Sequence, residues 1–245
     1  MNLNAKQKTA SESVDLEIMQ ELQPPIYILE TRIGEPVTAL TDIIVSVVCF
    51  YAFYKLDKFE ASKIGTYFRY YFLLLGIATL WGGLITHAFI FKLSQSWKVP
   101  GWITSTWAIS LLAFAVVQHH KKIISKIYKL IVGLIVLELL LVMSVIIYTV
   151  EFKWAGVHSA FGLFLIVGSL STYSFSKFKD DGSLWMLYGI GVFLISGVIF
   201  AAKLSINTWF NHVDLTHSLL SLAAYIMYKG ISKMMNHPQQ STNLQ

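Results

Sequence analysis

The sequence predicts an all-α fold, a seven-transmembrane helix bundle with its N-terminus outside and its C-terminus inside. Three observations lead there. Apolar residues make up 55% of the 245 and charged residues only 13%, with a mean hydropathy of +0.59, far from soluble-domain usage. The apolar residues gather into seven stretches of roughly 18 to 25 residues, each able to cross about 30 Å of hydrocarbon at about 1.5 Å per residue. These stretches are continuous, without the period-two alternation over about ten residues that a barrel strand requires.

Taken in order, residues 1–34 read as a polar tail. Glu12, Asp15, Glu17, Glu21 and Glu30 are scattered through it, and no apolar run precedes a small-residue cleavage site, so it does not resemble a signal peptide. Within it "LQPPIYILE" (22–30) is a short apolar patch that rests on the membrane surface, caps the bundle or belongs to an unstructured tail. The membrane domain covers 35–233, with spans near 37–55, 66–92, 100–118, 128–150, 154–175, 184–203 and 211–228, and 234–245 forms a second polar tail. The lone cysteine, Cys49, lies inside the first span as packing, which excludes a disulfide framework or a Cys-based zinc site.

Orientation follows from Lys and Arg, which favour cytoplasmic loops. Lys55, Lys58, Lys63, Arg69, Lys121, Lys122, Lys126, Lys129, Lys177, Lys179, Lys229 and Lys233 fall on one side. Only Lys6, Lys8, Arg32, Lys92, Lys98, Lys153 and Lys203 fall on the other. The net charge of +5 is then a product of topology rather than a sign of nucleic-acid binding. The expected location is the cell membrane, as a multi-pass protein.

With that topology, Glu35, Asp42, His87, His158, His212, Asp214 and His217 all lie towards the outer side, whereas His119, His120 and His237 read as ordinary solvated side chains. Glu35, Thr38, Asp42 and Ser46 are three, four and four residues apart and stack on one helical face. A carboxylate facing lipid costs several kcal/mol, so this face is expected to look into the bundle. For Glu35, just before Pro36, capping of the first span is an equal alternative. Asp42, about two turns deeper, is less easily read as a cap.

At the head of the seventh span, Asp214 and His217 share a face, while His212 and His217, five apart, diverge by about 140° unless Asn211 or His212 forms the cap. Two imidazoles from this span and His87 from the second would supply three neutral nitrogen ligands and leave a fourth position open, as a catalytic zinc requires. Asp214 is then a natural partner fixing the His217 tautomer. The other reading is a hydrogen-bonded set of interhelical histidines.

Seven spans, a His late in the second, and paired His at the head of the seventh before a helix that turns from polar to apolar resemble one known superfamily. It contains the alkaline ceramidases, the progestin and adipoQ receptors and the lipid-remodelling proteins of GPI-anchor maturation. "GEPVTALTD" together with "FNHVDLTHSLLSLAAYIMYKG" also resembles an uncharacterised set of bacterial seven-helix proteins. The resemblance implies that His87, His212 and His217 are zinc ligands in a lipid amide hydrolase. The chain departs from the pattern in having Gly83 where the superfamily has Ser, no Asp following His87, and a five-residue rather than four-residue histidine gap. Asp42 or Asp214 is the candidate for the missing carboxylate, as a catalytic base.

Glu138 is the one acidic residue near the middle of an apolar span, marking a proton or substrate path or serving as a neutral glutamate that joins helices. The tryptophans mostly flank spans as interfacial anchors, and Gly82–Gly83 permits close helix approach beside His87. Three classes of function follow. The first is a zinc-dependent membrane hydrolase of a lipid amide or ester, with membrane lipid as its partner. The second is a non-enzymatic receptor or transporter binding a proton or metal ion. The third is a b-type haem protein using two of His87, His158, His212 and His217 as axial ligands.

Overall fold

The structure, a computed structural model, describes residues 22–236. Most of the expected N-terminal tail, His237 and the end of the C-terminal tail lie outside the described residues. The chain enters through a short antiparallel hairpin, β1 (Ile26–Ile28) and β2 (Thr31–Ile33), with Ile26 opposite Ile33. Leu29 and Glu30 form its turn with φ of 45° and 64°, the left-handed backbone of a two-residue hairpin loop.

Helices follow. Pro36 opens α1 (Pro36–Lys55), where its fixed φ suits the first helical turn. Ser62 caps α2 (Lys63–Trp81), accepting from Gly65 N–H at 3.4 Å, and α2 runs on through a π-helical stretch, Gly82–His87. Next come α3 (Val99–His119), α4 (Tyr128–Thr149) and α5, which begins at Lys153 and continues through a π-helical stretch to Phe178. α4 and α5 each end on a left-handed residue, Val150 and Lys179. Asp180 caps α6 (Asp181–Ala201), and α7 (His212–Asn236) closes the bundle.

Six of these helices are long and apolar enough to cross a membrane, as a multi-pass membrane protein requires. The seventh, α7, is the expected last span; its 25 residues suffice in length, but it carries Asp214, Lys229 and Lys233 and falls outside that group. On α4 the residues Ile135, Leu139, Val142 and Ile146 recur on one face and are buried. Its Leu130, Leu134, Leu137, Leu140 and Leu141 are exposed, an apolar face that hydrocarbon solvates and water does not. The main core joins all seven helices through residues such as Val45, Phe68, Phe72, Leu112, Val116, Ile135, Leu163, Met186 and Ile231. His120 departs from the solvated role expected of it: it is fully buried, with Nδ1 2.8 Å from the Val116 carbonyl, because the chain turns back over the end of α3.

Candidate functional site

The buried face of α1 carries the polar stripe that its sequence spacing indicates. Glu35, Thr38, Asp42 and Ser46 are all nearly inaccessible, and Ser46 donates to the Gly76 carbonyl of α2. Glu35 stands at the cap position of α1, yet its side chain caps nothing. Its Oε2 lies 2.6 Å from His87 Nδ1, and its Oε1 accepts from Leu22 N–H at 2.9 Å. Burial works to raise the Glu35 carboxyl, but the bond and charge of His87, the Leu22 N–H and the charge of Lys98 outweigh it and hold it below its usual 4.5. Glu35 is therefore a carboxylate, and His87 Nδ1–H is the donor.

Glycine brings α2 close enough for this. A Cβ on Gly82 would fall 2.5 Å from Asp42 Oδ2, and one on Gly83 2.6 Å from the Ala39 carbonyl. The π-helical stretch starts at these glycines and ends on His87, and such stretches recur at functional sites. Backbone bonds from Gly34 to the Ala88 carbonyl and from Glu35 to the His87 carbonyl tie the start of α1 to the end of α2.

Asp42 lies between two imidazoles. Its Oδ2 is 3.8 Å from His87 Nε2, and its Oδ1 is 3.4 Å from His217 Nδ1. His217 Nδ1 also stands 3.3 Å from Thr41 Oγ1, and the two rings meet edge to face at 6.0 Å between centroids. Thus α1, α2 and α7 deliver Glu35, Asp42, His87 and His217 to one end of the bundle.

Asp214 is beside this group but is otherwise employed. One oxygen accepts from Thr38 Oγ1 at 2.8 Å; the other accepts from Gln23 Nε2 and Asn211 N–H, each at 2.7 Å. In return the Asn211 side chain accepts from Val213 N–H at 2.8 Å, so Asn211 and Asp214 cap α7 reciprocally. No hydrogen bond or ion pair joins Asp214 to His217 among the described residues. His212 also stands apart from His87 and His217. It is the first residue of α7, with its ring against Phe200 at 5.7 Å between centroids and its N–H on Ser205 Oγ.

Residues 37–236 match the model of a family of unknown function, DUF6962. The chain belongs to this DUF6962 family. No curated protein and no solved structure matches it. The region matched to DUF6962 contains Asp42, His87, Asp214 and His217, and lies C-terminal to Gln23 and Glu35.

Among the described residues, no three His, Cys, Asp or Glu side chains form a ready metal-ligand group. The donor chemistry of Asp42, His87 and His217, one carboxylate and two imidazoles, is nonetheless of the kind zinc takes. Glu35 on Nδ1 is the outer partner that a ligating histidine commonly has.

Gln23 is the functional neighbour that sequence reading missed. Nearly inaccessible, it donates to Asp214 and to the Trp209 carbonyl, while its Oε1 accepts from Val37 and Thr38 N–H and so caps α1. No local pattern marks a glutamine for that role, although the Pro pair after it signals a chain held in one direction. Asn211 was one of the two cap positions the spacing allows, whereas Asp214, expected to fix the His217 tautomer, accepts from Asn211 N–H and caps α7 instead.

Proposed function

We propose that the protein is an integral membrane hydrolase of a lipid amide or ester, with zinc held by His87, His217 and Asp42 at the end of the bundle where α1 and α7 begin. One observation carries the reading. With Nδ1–H given to Glu35, a neutral His87 ring brings the lone pair of Nε2 to 3.8 Å from Asp42 Oδ2, and His217 Nδ1 comes to 3.4 Å from the other oxygen of the same carboxylate. Lone pairs and negative charge gathered in a nearly inaccessible place call for a cation among them. The resemblance to the ceramidase and adipoQ-receptor superfamily supports the same assignment for His87 and His217.

Zinc bound there would acidify a water and polarise a carbonyl. Glu35 fixes the His87 tautomer and orientation. Asp42, with Oδ2 3.8 Å from His87 Nε2 and Oδ1 3.4 Å from His217 Nδ1, would ligate through one oxygen and take up a proton on the other as water is consumed. Asp214 acts one step back, pinning Gln23, Thr38 and the first turn of α7 so that His217 meets Asp42. The membrane supplies the substrate, since the site lies at the end of helices long and apolar enough to cross it.

A second reading has one specific observation in its favour. Thr41 Oγ1 donates its hydrogen to the Thr38 carbonyl, so a bond from Thr41 to His217 needs a hydrogen on His217 Nδ1, which Asp42 then shares. In that case a hydrogen shared between Asp42 and His217 takes the place of the metal, and the protein is a proton-responsive receptor or transporter.

Turnover separates the two. Purified protein in lipid nanodiscs, offered long-chain acyl amides and acyl esters, should release fatty acid, and Asp42→Asn and a zinc chelator should each abolish release. Release that persists unchanged in Asp42→Asn and under the chelator, or no release from either substrate class by zinc-loaded protein, overturns the hydrolase reading.

A further inference from the structure

Away from that cluster, one acid and one imidazole meet inside the bundle. Glu138 lies halfway along α4, and its Oε2 is 2.6 Å from Nδ1 of His158 near the start of α5. The other ring nitrogen faces two groups of α3, the Thr106 carbonyl at 2.9 Å and Ser110 Oγ at 3.3 Å. A carbonyl only accepts, so Nε2 carries a hydrogen. With that hydrogen fixed, Oε2 and Nδ1 hold one more between them, as imidazolium with carboxylate or as neutral imidazole with carboxylic acid. Both forms have zero net charge, the condition under which such a pair is tolerable in hydrocarbon.

The surroundings leave this proton exchangeable. Glu138 Oε1 is buried with no hydrogen-bond partner among the described residues, so no second donor holds the carboxyl ionised. The Glu138 side chain is still 20% exposed, on the apolar outer face of α4 beside Leu137 and Leu141. Nearer the end of the bundle that bears Asp42, Val142, Ile146 and Ala155 pack with Trp102, Ile103 and Trp154 as a separate apolar cluster. α3 brings only Thr106 and Ser110 to the pair, and no further described titratable or charged side chain bonds to it.

We propose that Glu138 and His158 form a proton-binding site within the bilayer, separate from the Asp42 cluster and independent of the function proposed for it. With no described donor on Oε1 and apolar surroundings, the proton rests on Glu138 as a carboxylic acid beside a neutral His158 that keeps its Nε2 hydrogen; release to water leaves the carboxylate, and uptake restores the acid.

Dicyclohexylcarbodiimide, a lipid-soluble reagent that adds to protonated carboxyl groups in apolar surroundings, tests this on the unaltered full chain in nanodiscs. Labelling of the Glu138 peptide, read by mass, should fall about tenfold for each pH unit above the midpoint of release. Infrared difference spectra should lose a protonated-carboxyl C=O band over the same range. That band should be absent from Glu138→Gln and should titrate at a different pH in His158→Gln, whose amide cannot take the proton. Labelling and infrared spectra that are both flat across the pH range overturn the proposal, as does a titrating band that survives intact in Glu138→Gln. If Glu138→Gln fails to fold, the pH profile of the unaltered protein decides alone.

Discussion

Replacing Asp214 by alanine removes the acceptor for three donors at once: Thr38 Oγ1, Gln23 Nε2 and Asn211 N–H, all within 2.8 Å and all on residues at most 5% exposed. A bond to a charged acceptor contributes about 1.5–3 kcal/mol net in water, whereas interhelical bonds in membranes average about 0.6 kcal/mol. Three bonds at the bundle end, taken between those limits, give a loss of about 3–5 kcal/mol. At about 2–4 °C per kcal/mol for a chain of this size, Tm should fall by roughly 6–20 °C. Asp214→Asn, which keeps one oxygen but turns an NH2 towards the donors, should fall in between. The assay is thermal unfolding in detergent, with limited proteolysis reporting release of the segment around Gln23. A Tm within about 2 °C of the parent, with no new cleavage before Pro36, would refute the anchoring role.

Other outcomes follow from the same geometry. Gly83→Ala, whose Cβ would lie 2.6 Å from the Ala39 carbonyl, should cost about 1–3 kcal/mol, whereas Gly133→Ala, with nothing within 4 Å, should be neutral or stabilising in the same melts; equal Tm values would contradict the close contact of α1 and α2. Because the folded-state value of Glu35 is depressed, its contribution to stability is present above the usual 4.5 and is lost as pH falls through the folded value. Melts below that range should therefore show acid destabilisation that Glu35→Gln removes, and an unchanged acid limb in the variant would count against the Glu35–His87 pair. A reporter active only in the cytoplasm, fused after Gln245, should work if the basic bias of twelve against seven sets orientation; silence there would reverse the topology.

Helix existence was legible because span length and continuous apolarity register directly in sequence, and six of the expected spans appear as helices apolar enough to cross a membrane. The polar face of α1 was legible for the same reason, since a helical period fixes which residues lie together before any partner is known. What periodicity leaves open is the rotation and depth of one helix against another. Hence Glu138 could be flagged as costly but not paired with His158, which reaches it only because α4 and α5 run antiparallel and side by side. His212 illustrates the same limit: its five-residue gap from His217 signals divergence, but only the cap at Asn211 decides that its ring turns to Phe200. The N-terminal hairpin and the reach of Gln23 arise from a segment without helical period, where pairing is tertiary and leaves little local trace.

The central claim is that a cation held by Asp42, His87 and His217 defines this site, and the most direct test is the zinc content of protein purified without added metal or chelator. The account predicts about one zinc per chain, lost in His87→Ala, His217→Ala and Asp42→Asn but kept in His212→Ala, because dropping one of three ligands weakens binding by orders of magnitude. Zinc absent from the unaltered protein, or fully retained when His87 and His217 are both alanine, would contradict it.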